Sequence, residues 1–180
     1  RFNGSGLPVE IGVGNAQALD FPDATFDAAR TDRVLVYVGD LRRAVLELTR
    51  VTKSGGRVVV TEPDMGAWMV DSSDVETTRA VLTGVCDEFP SAWAGRQLRA
   101  LFLDAGLTGV EVRIFSIMHT QFATWSERLG IDAVLGKITE AGRISAASAK
   151  SWFDELRMRD SAGRFFAANM LCMVSGTKSG

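Results

Sequence analysis

The stretch from Leu41 to Thr61 limits the folds open to this chain more than any other. Leu41, Ala44, Val45, Leu48 and Val51 recur at spacings of three and four, which predicts a helix with one apolar face. Asp40 is placed to cap its first turn. Lys53-Ser54-Gly55-Gly56 closes the helix, with glycine supplying a positive φ. Arg57 to Thr61 then carries Val58, Val59 and Val60 in an unbroken β-branched run. Such a run suits a strand buried on both faces of a sheet.

The alternation continues on both sides. Upstream, Leu7 to Val13 reads as a strand, with Pro8 tolerated at its start. Ala16 to Asp20 reads as a short helical turn or loop. Phe26 to Arg30 reads as a buried strand introduced by the turn sequence Pro22-Asp23-Ala24-Thr25. Downstream, Glu62-Pro63-Asp64 is expected to end the valine strand. Asp74 can cap a helix from Val75 to about Glu88. Arg96 to Ala105 forms an amphipathic helix stopped by Gly106. Val110 to His119 is a strand in which Val110, Val112 and Ile114 alternate with Glu111 and Arg113. Residues 123–141 and 145–159 give two helices joined around Gly142, the second with Ala149, Trp152, Phe153 and Leu156 on one face. Phe165 to Lys178 is the last strand. Strands alternating with helices predict an α/β doubly wound sheet. A length of 180 residues fits a single domain, 1–180.

Composition narrows the function. Apolar residues make up 46% and charged residues 23% of the chain, as in globular proteins. A net charge of −2 argues against an electrostatic nucleic-acid or membrane surface. No apolar run approaches a membrane span, and Arg1 to Gly6 lacks the pattern of a leader. With one histidine, a multi-histidine metal site within one chain is excluded, and no metal is expected. Cys86 and Cys172 are expected to be reduced and buried, consistent with a cytoplasmic protein.

Two segments carry a more specific signal. Gly14-Asn15-Ala16-Gln17-Ala18-Leu19 is followed by Phe21-Pro22-Asp23-Ala24-Thr25-Phe26-Asp27, and later by Val51-Thr52-Lys53-Ser54-Gly55-Gly56-Arg57. This pattern resembles class I S-adenosylmethionine (SAM)-dependent methyltransferases of the ubiquinone/menaquinone-biosynthesis type, the methyltransferase type 11 domain. Asp20 stands where that family usually has proline. The resemblance covers at least residues 8–64. It implies a Rossmann-like doubly wound sheet whose last strand runs antiparallel between the 57–61 and 110–119 strands. It also implies SAM as cofactor and a small-molecule substrate.

In that family a glycine-rich loop follows the first strand, and an acidic residue ends the second. Only eleven residues precede Gly12, whereas a βαβ unit takes about thirty or more. The expectation is therefore a methyltransferase-like chain with its N-terminal βαβ unit missing. The 26–30 strand would then be an exposed apolar edge, which is an association hazard. That leads to a homodimer, or to pairing with a separate N-terminal piece.

Ligands of open α/β sheets sit at the carboxyl ends of strands, and three such ends are candidates. By resemblance, the Asn15 side chain meets the adenine amino group and the Ala16 N–H a ring nitrogen; an ordinary polar turn is the alternative. Asp32 would meet the ribose or amino-acid end of the cofactor, and Arg33 its carboxylate or an acidic substrate group; a cap or surface ion pair is the alternative. After the third end, Asp64 is a candidate base or substrate anchor, although a turn-forming aspartate is the more ordinary reading. Tyr37, Trp68, Trp93, Phe122 and Trp125 could wall a pocket for a flat organic substrate, or pack in the core. His119 is a second candidate base, histidine being the residue type suited to proton transfer near neutral pH. Segments 65–94 and 120–162 would cap the substrate. Methyl transfer rests largely on alignment, so it requires no conspicuous catalytic residue. The leading function is SAM-dependent methyl transfer to a small organic molecule. The alternative is a catalytically silent fragment or scaffold. A nucleotide-dependent oxidoreductase is disfavoured, because its glycine fingerprint is absent as well.

Overall fold

The computed structural model describes residues 9–180. The elements in order are β1 (Phe26–Asp32), a 3-10 turn (Leu35–Tyr37), α1 (Leu41–Val51), β2 (Thr52–Val70), α2 (Val75–Asp87), α3 (Ala94–Asp104), β3 (Leu107–His119), α4 (Phe122–Leu129), α5 (Ile131–Glu140), α6 (Ala146–Ser161) and β4 (Ala167–Lys178). One four-stranded sheet has the order β1-β2-β4-β3. β1 is parallel to β2, and β4 runs antiparallel to both β2 and β3. The expected last strand thus lies where the resemblance put it.

The helix that anchors the sequence reading forms as its spacing requires. Asp40 accepts a hydrogen bond from the Arg43 N–H at 2.8 Å, and Leu41, Ala44, Val45, Leu48 and Val51 are all buried. Gly55 takes φ +76°, but within β2 and not at the helix end, which an extended Thr52 closes instead. Gly56 is required for a different reason: a Cβ there would stand 2.7 Å from the Asp27 carbonyl oxygen, at the irregularity where β1 meets β2. Helices α1 and α3 cover one face of the sheet. Val58, Val60 and Val174 pack there with Leu35, Ala44, Leu98 and Phe102.

A second core forms where β2 continues outward. Trp125, Trp152, Ile131, Leu156 and Phe165 pack there against Val81 and Val85 of α2. Trp152 donates from its indole N–H to Thr78 Oγ1 at 2.8 Å, which satisfies a buried donor.

Several expectations are corrected. Residues 9–14 form no strand, and Ile11 and Val13 are exposed; Leu7 and Pro8 lie outside the described residues. A strand needs a partner for its backbone groups, and none of the described strands pairs with this segment. β1 is exposed along most of its length rather than buried, because it is the sheet edge. Val59 is only half-buried, since α1 and α3 lie on the opposite face. Glu62-Pro63-Asp64 does not end β2: pairing with Cys172, Leu171 and Met170 of β4 carries the strand past it. The 123–141 helix is broken at Gly130, whose φ of +62° ends α4 and starts α5. Val112 and Ile114 are exposed on β3, the other edge of the sheet. Both cysteines are free, but Cys86 is only half-buried.

The N-terminal segment is held to α1 by a buried carboxylate. Glu47 is 3% exposed. It accepts from the Leu19 N–H at 2.9 Å and from Arg50 at 3.0 and 2.8 Å. Arg50 also donates to the carbonyl oxygens of Leu19 and Phe21. The Arg50 guanidinium lowers the Glu47 pKa to about 2, aided by the Leu19 N–H and Arg43 and opposed by burial. A carboxylate with a depressed folded pKa stabilises fully above its unfolded value and loses that contribution as pH falls. Glu47→Ala is expected to cost about 1–3 kcal/mol in chemical denaturation at pH 7. The wild-type advantage should fade as pH drops from about 4.5 towards about 2.

Candidate active site

Parallel pairing sets Asp32 beside Thr61, so the carboxyl end of β1 lies beside the middle of β2, where their pairing stops. Beyond β1 the chain turns at Arg33, whose φ of +55° is in the left-handed region. The Arg33 N–H donates to the Thr61 carbonyl at 2.8 Å. The 3-10 turn follows at once, and its leading N–H groups need acceptors.

Glu62 supplies them. Its Oε1 accepts from the Val34 and Leu35 N–H groups at 3.0 and 2.8 Å, and its Oε2 from Val36 at 3.1 Å. The side chain is fully buried. Burial pushes its pKa up, the three N–H groups draw it back, and Asp32 adds a smaller upward push. A carboxyl group with a raised folded pKa favours folding most at low pH, and that contribution falls as pH rises through the shifted value. The three bonds are what make the ionised form tolerable inside the protein.

A cavity of about 370 Å³ opens over this turn, bordered by Asp32, Arg33, Tyr37, Trp68, His119 and Asn169. Asp32 is bonded to Arg30 at 3.0 Å and Arg33 at 2.8 Å, yet its side chain remains 35% exposed. Tyr37 packs against Phe89 with ring centroids 5.5 Å apart, and Trp68 against His119 at 5.4 Å. The structure therefore gathers Asp32, Arg33, Tyr37, Trp68 and His119 from distant parts of the sequence.

The remaining candidates lie elsewhere. The Asn15 side chain accepts from the Gln17 N–H at 2.9 Å within its own exposed turn, and Ala16 is half-buried beside it. Trp93 borders a neighbouring cavity of about 990 Å³, with the Arg96 guanidinium 4.9 Å from its ring centroid. Phe122 is buried and packs edge-on against Phe153 and Phe165. Trp125 is fully buried in the same cluster. Asp64 is 3% exposed. Its two oxygens take a bidentate pair from Arg96 at 2.5 and 2.6 Å, and Oδ1 also accepts from the Gly66 N–H. This is the geometry of a fixed structural pair, which leaves no oxygen poised as a base.

Glu62 and Asn169 are the residues that sequence reasoning passed over. A glutamate adjoining a buried valine run was the available signal, because a buried charge must find donors. Asn169 gave none, since its neighbours on β3 are remote in sequence. Asp64→Ala is expected to lower stability by about 1–3 kcal/mol, since it removes the acceptor of the Arg96 and Gly66 hydrogen bonds, while the half-exposed Arg96 can turn to water. The Asp32 and His119 environments should be untouched, as thermal denaturation and NMR spectra would report.

The chain is similar to known proteins in part of its sequence and in its fold. Residues 1–60 match the family described as "Methyltransferase domain". An uncharacterized 37.1 kDa protein of transposon TN4556 from Streptomyces fradiae is 35% identical over 92% of this chain and 47% of its own length. The demethylmenaquinone methyltransferase of Thermobifida fusca is 48% identical over 62 residues, which are 34% of this chain and 26% of that protein. The chain thus spans half or less of the curated relatives it matches. Among solved structures, a candidate methyltransferase from Bacillus halodurans aligns with a TM-score of 0.62 and 16% identity, over 96% of this chain and 78% of that one. The YcgJ protein of Bacillus subtilis aligns at 0.56 and 19%, over 93% and 70%. These two likenesses speak for the fold alone. The chain is thus similar to the methyltransferase domain over residues 1–60 and shares its fold with these two solved structures.

Proposed function

We propose that the chain takes part in SAM-dependent methyl transfer to a small organic molecule. The observation that carries this reading is the cavity beyond the carboxyl end of β1, where its parallel pairing with β2 stops and Asp32, Arg33, Tyr37, Trp68 and His119 meet. That is where ligands bind in open α/β sheets. Because the chain covers 47% of its Streptomyces fradiae relative, the activity of a whole protein is part of the proposal.

The residues present fit the cofactor. The part-exposed Asp32 carboxylate suits ribose hydroxyls or an ammonium group. The exposed Asn15 amide can receive an amino group, and the adjacent Ala16 N–H a ring nitrogen. When bound, SAM supplies an activated methyl group. The chain's own residues do the rest. Glu62 fixes the 34–36 turn beneath the cavity, and Glu47 and Arg50 fix the segment that carries Asn15 and Ala16. Trp68, Tyr37 and Phe89 wall the acceptor side and limit water, so alignment becomes the main contribution to rate. Segments 65–94 and 120–162 serve as the cap: they contribute Trp68, Phe89 and Arg128 to the cavity wall. Trp93 and Phe122 support that cap. His119 faces the acceptor, whereas Asp64 anchors Arg96.

A second reading has its own observation. The outer edge of β1 pairs with no strand among the described residues, and Phe26 on it is 36% exposed. An open edge of this kind favours association, either as a homodimer or with a separate N-terminal piece, in a catalytically silent scaffold. Two free cysteines suit a cytoplasmic setting for both readings, and no described helix is long and apolar enough to cross a membrane.

Calorimetric titration with S-adenosylhomocysteine separates the two. Micromolar binding is expected, weakened about tenfold by Asn15→Ala and again by Asp32→Asn, as loss of single hydrogen bonds would do. A folded sample that gives no heat, and that sediments as a dimer, would replace the enzyme reading with the scaffold.

A further inference from the structure

The wall of the 370 Å³ cavity that lies on the sheet holds two polar side chains with unmet hydrogen-bonding capacity. His119 pairs with Ala167 and Ile117 with Asn169 across the antiparallel β3–β4 ladder. His119 and Asn169 are therefore diagonal neighbours on one face, a spacing at which side chains act together. Ile117 and Leu171 stand beside them and border the same cavity. Asn169 is 7% exposed. Its Oδ1 and the His119 Nε2 are both buried and have no partner among the described residues. The Trp68 Nε1, in the ring packed on His119, is in the same condition. Buried polar atoms without partners are costly. Three of them around one cavity, beside apolar walls, point to a ligand that brings its own polar group.

The charges at the mouth specify more. Asp32 is shared between Arg30 and Arg33, which leaves one guanidinium charge in excess. Arg128 also borders the cavity and makes no ion pair among the described residues. An anionic group is therefore favoured at that end, and a planar carboxylate matches a guanidinium fork. Two aromatic pairs, Tyr37–Phe89 and Trp68–His119, border the space between. At about 370 Å³ the space lies near the lower end for small-molecule sites, large enough for a fused ring.

We propose that this cavity binds a planar aromatic hydroxy-acid, with its ring hydroxyl at His119 and Asn169 and its carboxylate at Arg33 and Arg128. This rests on the methyl-transfer reading in that it names the class of acceptor, but binding at the site needs no second ligand. Asn169 and His119 position the hydroxyl by hydrogen bonds. An acceptor lacking the hydroxyl would leave the buried amide and imidazole unmet and so bind more weakly.

The single histidine of the chain gives the test a unique reporter. Imidazole ¹⁵N–¹H spectra and calorimetry are recorded with 6-hydroxy-2-naphthoate, 2-naphthoate and 2-naphthol on the full chain. The hydroxy-acid should bind about tenfold more tightly than either single-function probe and should move the His119 resonances. Asn169→Leu, which keeps the volume, should reduce the hydroxy-acid to the affinity of 2-naphthoate while 2-naphthoate itself is unchanged. Arg128→Gln should remove the advantage of the carboxylate and spare 2-naphthol. Equal affinities for the three probes, or binding that leaves the His119 signals in place, would overturn the proposal. S-adenosylhomocysteine binding without hydroxy-acid binding would sink this inference alone. Hydroxy-acid binding without S-adenosylhomocysteine binding would sink the methyl-transfer reading alone.

Discussion

A carboxylate buried without a cation organises the centre of this molecule. Glu62 lies within β2, and its oxygens meet the Val34, Leu35 and Val36 N–H groups at 2.8–3.1 Å. An unpaired ion in such a place would cost several kcal/mol. The 3-10 turn has the converse problem, because its first N–H groups have no helical partners. Each solves the other's deficit. As a result the chain leaving β1 is pinned to β2 at the point where the cavity opens. Leu35 is delivered to the core beneath the sheet and Val36 to the core of the cap, while Arg33 and Tyr37 stay at the cavity.

The same device recurs further out with different electrostatics. Glu47 also meets a backbone N–H, that of Leu19, but Arg50 accompanies it. Its pKa is therefore driven down, whereas that of Glu62 is driven up. The two carboxylates thus give opposite pH dependences to two segments that carry candidate residues. One holds the segment with Asn15 and Ala16, and the other holds the segment with Asp32, Arg33 and Tyr37. Asp64 completes the pattern by fixing α3 to β2 through Arg96. A Cβ on Gly95 would come within 3.0 Å of the Asp64 nitrogen, so the helix meets the strand closely enough for only glycine to fit there without a shift.

What could be read from the sequence was what is local. Asp40, Asp74 and the apolar spacing of Leu41 to Val51 fix helix starts and faces through contacts three or four residues apart, and these hold. Gly130 was missed because a glycine within a helical pattern is also compatible with an unbroken helix. The end of β2 was misplaced because Pro63 lies opposite Leu171, far along the chain, and that pairing outweighs the local signal of Glu62-Pro63-Asp64. The candidate site divides in the same way. Asp32, Arg33 and Asn15 were visible because they sit in a continuous patterned stretch. The meeting of His119 with Trp68 and Asn169 depends on the β3–β4 register, which no short pattern encodes.

Glu62 holds the post-β1 turn in place, and hydrogen exchange of three amides reports whether it does. In Glu62→Gln the amide nitrogen replaces one acceptor oxygen, so one of the three N–H groups must face a donor. Exchange at Val34, Leu35 and Val36 should accelerate about tenfold or more, while protection of Val58, Val60 and Val174 in the sheet stays close to wild type. Unchanged exchange at the three amides would show that packing, not this carboxylate, sets the turn.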